Sequence, residues 1–484
     1  MSSSRVVHIK TTDDEAVVGV LRDGIARIQD ELDVTPDFPP EVEEAAAAAA
    51  AAPRLPDLDR TDIPFVTIDP ETARDLDQAL HIERAGAGYV VYYAIADLAA
   101  FVTPGDPVDV ESHRRGETLY GADSKVPLHP KVISEGAGSL LPDEVRPALL
   151  WTIQVDETGE GTDVHVERAR VRSTAKLSYE GAQRAVDDGT ADEVLRLLQE
   201  IGELRIARDA VRGGVSLPLP EQEIDIHGDR WNLEFRSMLP VELWNAQISL
   251  LTGFGAASLM VYARVGLLRT LPPPDPRDVQ RLHRTARALG IDWPAEILYP
   301  DFIRSLDPAR PEHAAMVVAS ARLLRGSGYV AFDGEVPAEP LHSALASEYA
   351  HVTAPLRRLC DRYAAEVCVA LCAGKPVPAW VLEALPGLPK TMQQSSQRAK
   401  SYERAVLDLV EAGLLSARVG EELDGVVVST DEKNPSRGVV VLKSLGVEAP
   451  VVGDQALPLG TDVRVRLEKA DVATRTVELR LVQN

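Results

Sequence analysis

The chain has 484 residues, enough for a large catalytic body and one or two small modules. With 45% hydrophobic and 26% charged residues it has the balance of a soluble globular protein, and three cysteines, Cys360, Cys368 and Cys372, are too few for a disulfide framework. The net charge of −24 excludes nucleic-acid binding through bulk positive charge and leaves only local clusters for it: Arg168, Arg170, Arg172 and Lys176, then Arg357, Arg358 and Arg362.

The first residues lack the basic-then-apolar layout of a signal peptide, and no apolar run reads as long enough to cross a bilayer, so a cytoplasmic address without a membrane is expected. After a short strand-like start, residues 14–32 predict a helix, because Val17, Val18, Leu21, Ile25, Ile28 and Leu32 recur at helical spacing. Pro36, Pro39 and Pro40 break the pattern. The acidic and alanine-rich stretch 41–52 reads as a helix or as a semi-rigid linker.

From Ile63 the texture changes. Residues 65–69 and 89–96 read as strands, as do 145–155 and 162–172. Helical periodicity follows over 181–212, 241–265, 276–290, 311–326, 347–373 and 390–416. Strands early and helices late predict an α+β body, a mixed β-sheet core with packed helices. The three cysteines fall near one face of a helix and read as small buried apolar side chains. Beyond Gly420, short strands separated by turn residues predict a small C-terminal β-barrel of OB type, without an obvious row of aromatics for base stacking. The expected division is a short N-terminal region with helix and Ala-rich linker (1–60), a catalytic domain (61–416) and the barrel (417–484).

The segment from Asp69 to Gln78 carries the chemistry. Asp69, Asp75 and Asp77 fall within nine positions at the end of an apolar strand, and in extended backbone Asp75 and Asp77 point the same way. Hard divalent cations want such oxygen ligands, and ions bridged by carboxylates can hold a scissile phosphate and activate water. Spacing alone favours a solvated loop of ordinary surface aspartates.

What surrounds the cluster changes that balance. The strand into the aspartates, the strand ending at Asp97, and Val126-Pro127-Leu128-His129-Pro130 through Ser139-Leu140-Leu141-Pro142 and Arg146 resemble the opening of the catalytic domain of the RNase II/RNB exoribonuclease family. Gly328-Tyr329, His342, Tyr349, His351 and Thr353-Ala354-Pro355-Leu356-Arg357-Arg358 with Asp361 are similar to its late arginine-rich motif. The resemblance spans roughly 60–415 in order.

It implies a monomeric enzyme that hydrolyses single-stranded RNA from the 3′ end to nucleoside 5′-monophosphates, using Mg²⁺ or Mn²⁺, in RNA turnover. Asp69, Asp75 and Asp77 match the first three metal-binding positions. Arg357 matches the arginine that braces the scissile phosphate. Tyr120 and Tyr179 match aromatics at the RNA 3′ end, and Arg358, His351 and Glu403 match further RNA-contacting positions.

The sequence also departs from the pattern. Gln78 stands at the fourth metal position in place of Asp; its amide oxygen can coordinate but brings no charge. A working enzyme with a modified metal site is expected, the alternative being an RNA-binding RNB-fold protein without activity. Ala354, Leu359 and Ala365 replace Ser, Tyr and His. Only some sixty residues precede the matching region, too few for two cold-shock barrels, which implies a less gated channel.

Overall fold

The computed structural model describes residues 15–122, 125–217, 221–227 and 230–482; the strand-like start read within 1–14 lies outside them. Five strands, Phe65–Asp69, Gln78–Ala85, Gly88–Ala96, Val145–Val155 and Gly161–Ser178, close into a barrel. The first strand closes it, pairing antiparallel with Gln78–Ala85 and parallel with Gly161–Ser178, so that Asp69 lies opposite Ser178. Successive side chains of a strand face opposite ways. Val66 and Ile68 therefore join one apolar cluster with Leu80, Tyr93 and Trp151, while Phe65 joins another with Val42, Ala46 and Leu98.

That second cluster decides between helix and linker for the alanine-rich stretch. Pro40–Ala51 is a helix whose Val42 and Ala46 are buried against the barrel. On the first cluster sit the helices Glu193–Arg212, Pro240–Ala263 and Leu359–Cys372, through Leu198, Ile201, Trp244, Ile248, Tyr363 and Val367. Pro240–Ala263 is long and apolar enough to cross a membrane by composition, which corrects the sequence reading that no run qualifies. Trp244, Ile248, Ala256 and Met260 of this helix are core residues. Cys360 and Cys368 are buried thiols in that core, as their spacing suggests.

Two predicted helices resolve differently. Residues 181–212 divide into Tyr179–Asp187 and Glu193–Arg212: Gly189 takes a left-handed φ of +70°, and the Asp192 carboxylate restarts the helix by accepting from Leu195 N at 2.9 Å. Of 347–373 only Leu359–Cys372 is helical. Pro355 removes a backbone donor, and the Asp361 carboxylate takes the Ala354 N–H at 2.7 Å, so 349–358 form a fastened loop instead. This loop carries Arg357.

The C-terminal barrel has the strands Glu422–Thr430, Arg437–Leu442, Val447–Val452, Asp462–Asp471 and Thr476–Leu481, with the fifth inserted between the third and fourth, an arrangement of OB type. Residues 417–484 contain no Phe, Tyr, Trp or His, so the module offers no aromatic ring for base stacking. The barrel core continues into the helices Leu388–Leu415 and Glu15–Glu31 through Val406, Val410, Leu21 and Ile25.

Glu411 sits where that long helix meets the barrel. Its carboxylate accepts from Gln222 Nε2 at 3.0 Å and from the backbone N–H of Glu448 at 3.2 Å. Burial pushes its pKa up from 4.5 to about 7, against the pull of Arg404. A folded-state pKa above the unfolded one means that the folded protein holds the proton more tightly. Stability therefore falls as pH rises from about 4.5 to 7, and the whole penalty is in place above that. Glu411→Gln keeps an acceptor and removes the charge. It should raise the thermal midpoint by several degrees at pH 8.5 and leave it nearly unchanged at pH 4.5; scanning calorimetry at both pH values checks this.

Candidate active site

Asp69 ends the first barrel strand, and Pro70 turns the chain out of the sheet. The loop that follows is fastened at its backbone. Lys176 Nζ donates to the carbonyls of Glu71 (2.6 Å) and Ala73 (2.5 Å). Ser139 Oγ donates to the Arg74 carbonyl at 2.6 Å and accepts from Leu76 N at 2.9 Å. Leu76 is fully buried, which leaves the flanking Asp75 and Asp77 together on the other side of the extended chain.

Arg357 reaches this cluster from far along the sequence. Its Nε lies 3.4 Å from Asp77 Oδ2, and the N–H of Leu356 donates to Asp77 Oδ1 at 2.8 Å. The arginine loop is also tied to the chain after the helix Pro107–Arg115: Thr118 N donates to the Arg357 carbonyl and Leu359 N to the Gly116 carbonyl, both at 3.0 Å. Gly116 has φ +76°, and a Cβ there would lie 2.5 Å from Ser395 Cβ, so only glycine fits.

Burial dominates the electrostatics of the cluster. It pushes Asp69 up to about 7 and Asp77 up to about 8, although Arg357 pulls both down; the neighbouring Asp75 raises both further. Loss of solvent, more than repulsion between the carboxylates, is what makes ionising Asp69 and Asp77 costly. Tyr120, on the ribbon Leu119–Tyr120/Lys125–Val126, interacts with Asp75, Asp77 and Arg357, and its hydroxyl is pushed well up by burial. Tyr179 opens its helix next to Ser178, across the barrel seam from Asp69; its hydroxyl, bonded to Asn245, is likewise pushed up by burial.

Gln78 starts the second barrel strand beside Asp77. Its Nε2 donates to the Thr353 carbonyl at 2.6 Å and its Oε1 accepts from the Tyr93 hydroxyl at 2.8 Å. Turning the amide over would set its oxygen against the Thr353 carbonyl, so the orientation is fixed by its partners.

The structure thus gathers Asp69, Asp75, Asp77, Gln78, Tyr120, Tyr179 and Arg357. The remaining candidates have other engagements. Arg358 forks onto Asp361, with both bonds at 2.9 Å. His351 Nδ1 is 2.7 Å from the Tyr329 hydroxyl, and burial holds the ring neutral. Ligand atoms of His351, Cys360 and Asp361 lie within 4.8 Å of one another, but the Asp361 oxygens already serve Arg358 and Ala354 N. Glu403 is on the helix Leu388–Leu415, which packs against the ribbon carrying Tyr120. The basic clusters read from the sequence are partly engaged by acidic neighbours: Arg168 pairs with Asp97 (2.8 Å) and Glu366, Arg170 with the exposed Asp59 (3.2 Å), and the buried Arg362 with Asp109 (2.6 Å).

Sequence reasoning missed Tyr93, Thr353, Asn245, Ser139 and, above all, Lys125. Lys125 Nζ lies 2.8 Å from Asp75 Oδ1 and 2.9 Å from Glu135 Oε1. No local pattern joins these three residues.

Comparison with known proteins bears on the fold and the family. The RNB domain family matches residues 58–372, and the RNase II-type exonuclease C-terminal S1 domain matches 421–482. Ribonuclease R of Vibrio cholerae is 27% identical over 433 residues, covering 81% of this chain and 51% of that protein. Exoribonuclease 2 of Vibrio vulnificus is 32% identical over 173 residues, 34% of this chain and 26% of that protein. The chain spans about half the length, or somewhat more, of Ribonuclease R proteins that it matches, 51% of one and 59% of another. Among solved structures, Mycoplasma genitalium RNase R in complex with ribose-methylated single-stranded RNA superposes with a TM-score of 0.84 at 19% identity, covering 96% of this chain and 78% of that one. Yeast Ssd1, a pseudonuclease, superposes with a TM-score of 0.68 at 17% identity, covering 89% and 53%. The fold, the ordered sequence blocks and a family match that takes in most of the length lead to one conclusion: this chain belongs to the RNB family.

Proposed function

We propose that the chain is a 3′–5′ exoribonuclease that hydrolyses single-stranded RNA to nucleoside 5′-monophosphates with the help of a divalent cation. The observation that carries this reading is the meeting of Arg357 with Asp77 inside a buried carboxylate cluster flanked by Tyr120 and Tyr179. Asp69, Asp75 and Asp77 offer hard oxygen donors, and a bound cation would offset the cost of ionising Asp69 and Asp77 in their buried setting. The donor set therefore fits Mg²⁺ or Mn²⁺, which when bound polarises the phosphoryl oxygens and makes water a better nucleophile.

The chain's own groups do the rest. Arg357 faces the phosphate and neutralises the charge that grows on its oxygens as water adds to phosphorus. The bond from phosphorus to the preceding 3′ oxygen breaks, a proton goes to that oxygen, and the phosphate stays on the released nucleotide. Tyr120 and Tyr179, both protonated, pack on and hydrogen-bond the terminal nucleotides, and the loop fastened by Lys176 and Ser139 keeps the aspartates in place.

The test is incubation of 5′-labelled single-stranded RNA with Mg²⁺ and, separately, Mn²⁺. Progressive shortening from the 3′ end with release of 5′-monophosphates is expected. RNA binding without product in either ion would instead favour a non-catalytic RNA-binding protein, the reading that the neutral, internally bonded Gln78 supports.

A further inference from the structure

Two features of the cluster have no place in the reading above. Lys125 opens the second arm of the ribbon whose first arm carries Tyr120, the two residues being paired across it. Its ammonium lies between Asp75 and Glu135, and all three side chains are largely sheltered from solvent. The other feature is Gln78, whose amide is engaged by Tyr93 and Thr353; the Tyr93 hydroxyl is in turn 2.8 Å from Ser249 Oγ.

Two divalent ions can sit side by side only where bridging carboxylates offset their mutual repulsion. Here an amide stands where one more carboxylate would add negative charge, and an ammonium already neutralises part of what Asp75 supplies. A Lys side chain is a compact point charge with three donors, well suited to satisfy two carboxylates at once. Its place on the Tyr120 ribbon adds a mechanical link, because whatever positions the ammonium also positions the ring.

We propose that this centre is built for a single divalent ion, with the Lys125 ammonium as its resident second cation, held between Asp75 and Glu135. Lys125 is then a positioning residue: it fixes the charge count of the cluster and the orientation of Asp75. The inference rests on the metal reading given under Proposed function, and it predicts a stoichiometry that the reading itself leaves open.

The experiment is titration of the metal-free protein with Mn²⁺, followed by calorimetry and electron paramagnetic resonance without RNA. Wild type should bind one Mn²⁺ per chain, with the spectrum of an isolated ion. The double variant Gln78→Asp/Lys125→Gln, and Lys125→Gln alone should the double variant not fold, should gain a second Mn²⁺ at least tenfold tighter than any second binding in wild type. The paired ions of the double variant should show spin coupling.

Two coupled ions in wild type would overturn the proposal and leave the nuclease reading intact. One ion in wild type and still one in every variant shown folded by circular dichroism would overturn the role of Lys125. No Mn²⁺ bound by wild type at millimolar concentration would overturn the metal reading and this inference together.

Discussion

Asp77→Asn should lower the rate of RNA hydrolysis by at least roughly 10³-fold while leaving RNA affinity within a few-fold of wild type. The asparagine oxygen can still accept the Leu356 N–H, so the arginine loop keeps its 2.8 Å anchor. What disappears is the charge that faces Arg357 and the cation. The same substitution gives an internal control on folding. Burial pushes Asp77 up from 3.8 to about 8, so its ionisation opposes folding increasingly as pH rises between those values. In metal-free buffer at pH 8 the variant should therefore melt at the wild-type temperature or above it. Single-turnover kinetics, a filter-binding isotherm and a melting curve measure the three quantities; near-full activity in a folded variant would remove Asp77 from the mechanism.

Arg357→Ala should cost about 10³–10⁵-fold in turnover, the range seen where a single arginine meets phosphoryl charge in the transition state. Arg357→Lys should recover little of it. An ammonium cannot present two parallel donors to a phosphate, and its charge sits elsewhere relative to Asp77 Oδ2 than the guanidinium does. The loss should fall on kcat rather than KM, because the interaction strengthens as charge develops. Equal changes in KM with kcat preserved would recast Arg357 as a simple RNA-binding residue.

Arg358, next in sequence, gives the contrast. Its fork is committed to Asp361, whose carboxylate also accepts from the Ala354 N–H and the Cys360 thiol. It shapes the loop that presents Arg357, a role no reading of two adjacent arginines could separate from phosphate binding. The aspartates themselves were legible, since three acidic residues at the end of an apolar strand form a local pattern. Arg357 was legible only through likeness to a family, because nothing near residue 357 refers to residue 77. Lys125 and Glu135 were not legible at all, as the pair forms only when the ribbon folds over the cluster.

The fold divides the same way. Periodicity found most of the longer helices and the strands of the first barrel except Gln78–Ala85, missed ribbons such as Val265–Thr270 with Gly328–Asp333, and overextended one helix across 349–358, where Pro355 and the Asp361 carboxylate outweigh helix propensity. Closure of the first barrel by parallel pairing of Phe65–Asp69 with Gly161–Ser178 is a long-range event with no local signature. Several of the basic residues that were to offset a net charge of −24 are instead paired with acidic neighbours, Arg362 in the interior and Arg170 at the surface.

The Leu356–Asp77 hydrogen bond joins residues 279 positions apart, and the Gln78–Thr353 bond spans 275. At synthesis rates of about 5–20 residues per second, the acidic loop waits roughly 15–60 s for its arginine to be made. On the proposed reading, a nascent chain holds the acidic loop without the arginine that hydrolysis needs. Activity would begin only once the loop carrying Arg357 has docked, so its onset would report that one long-range closure.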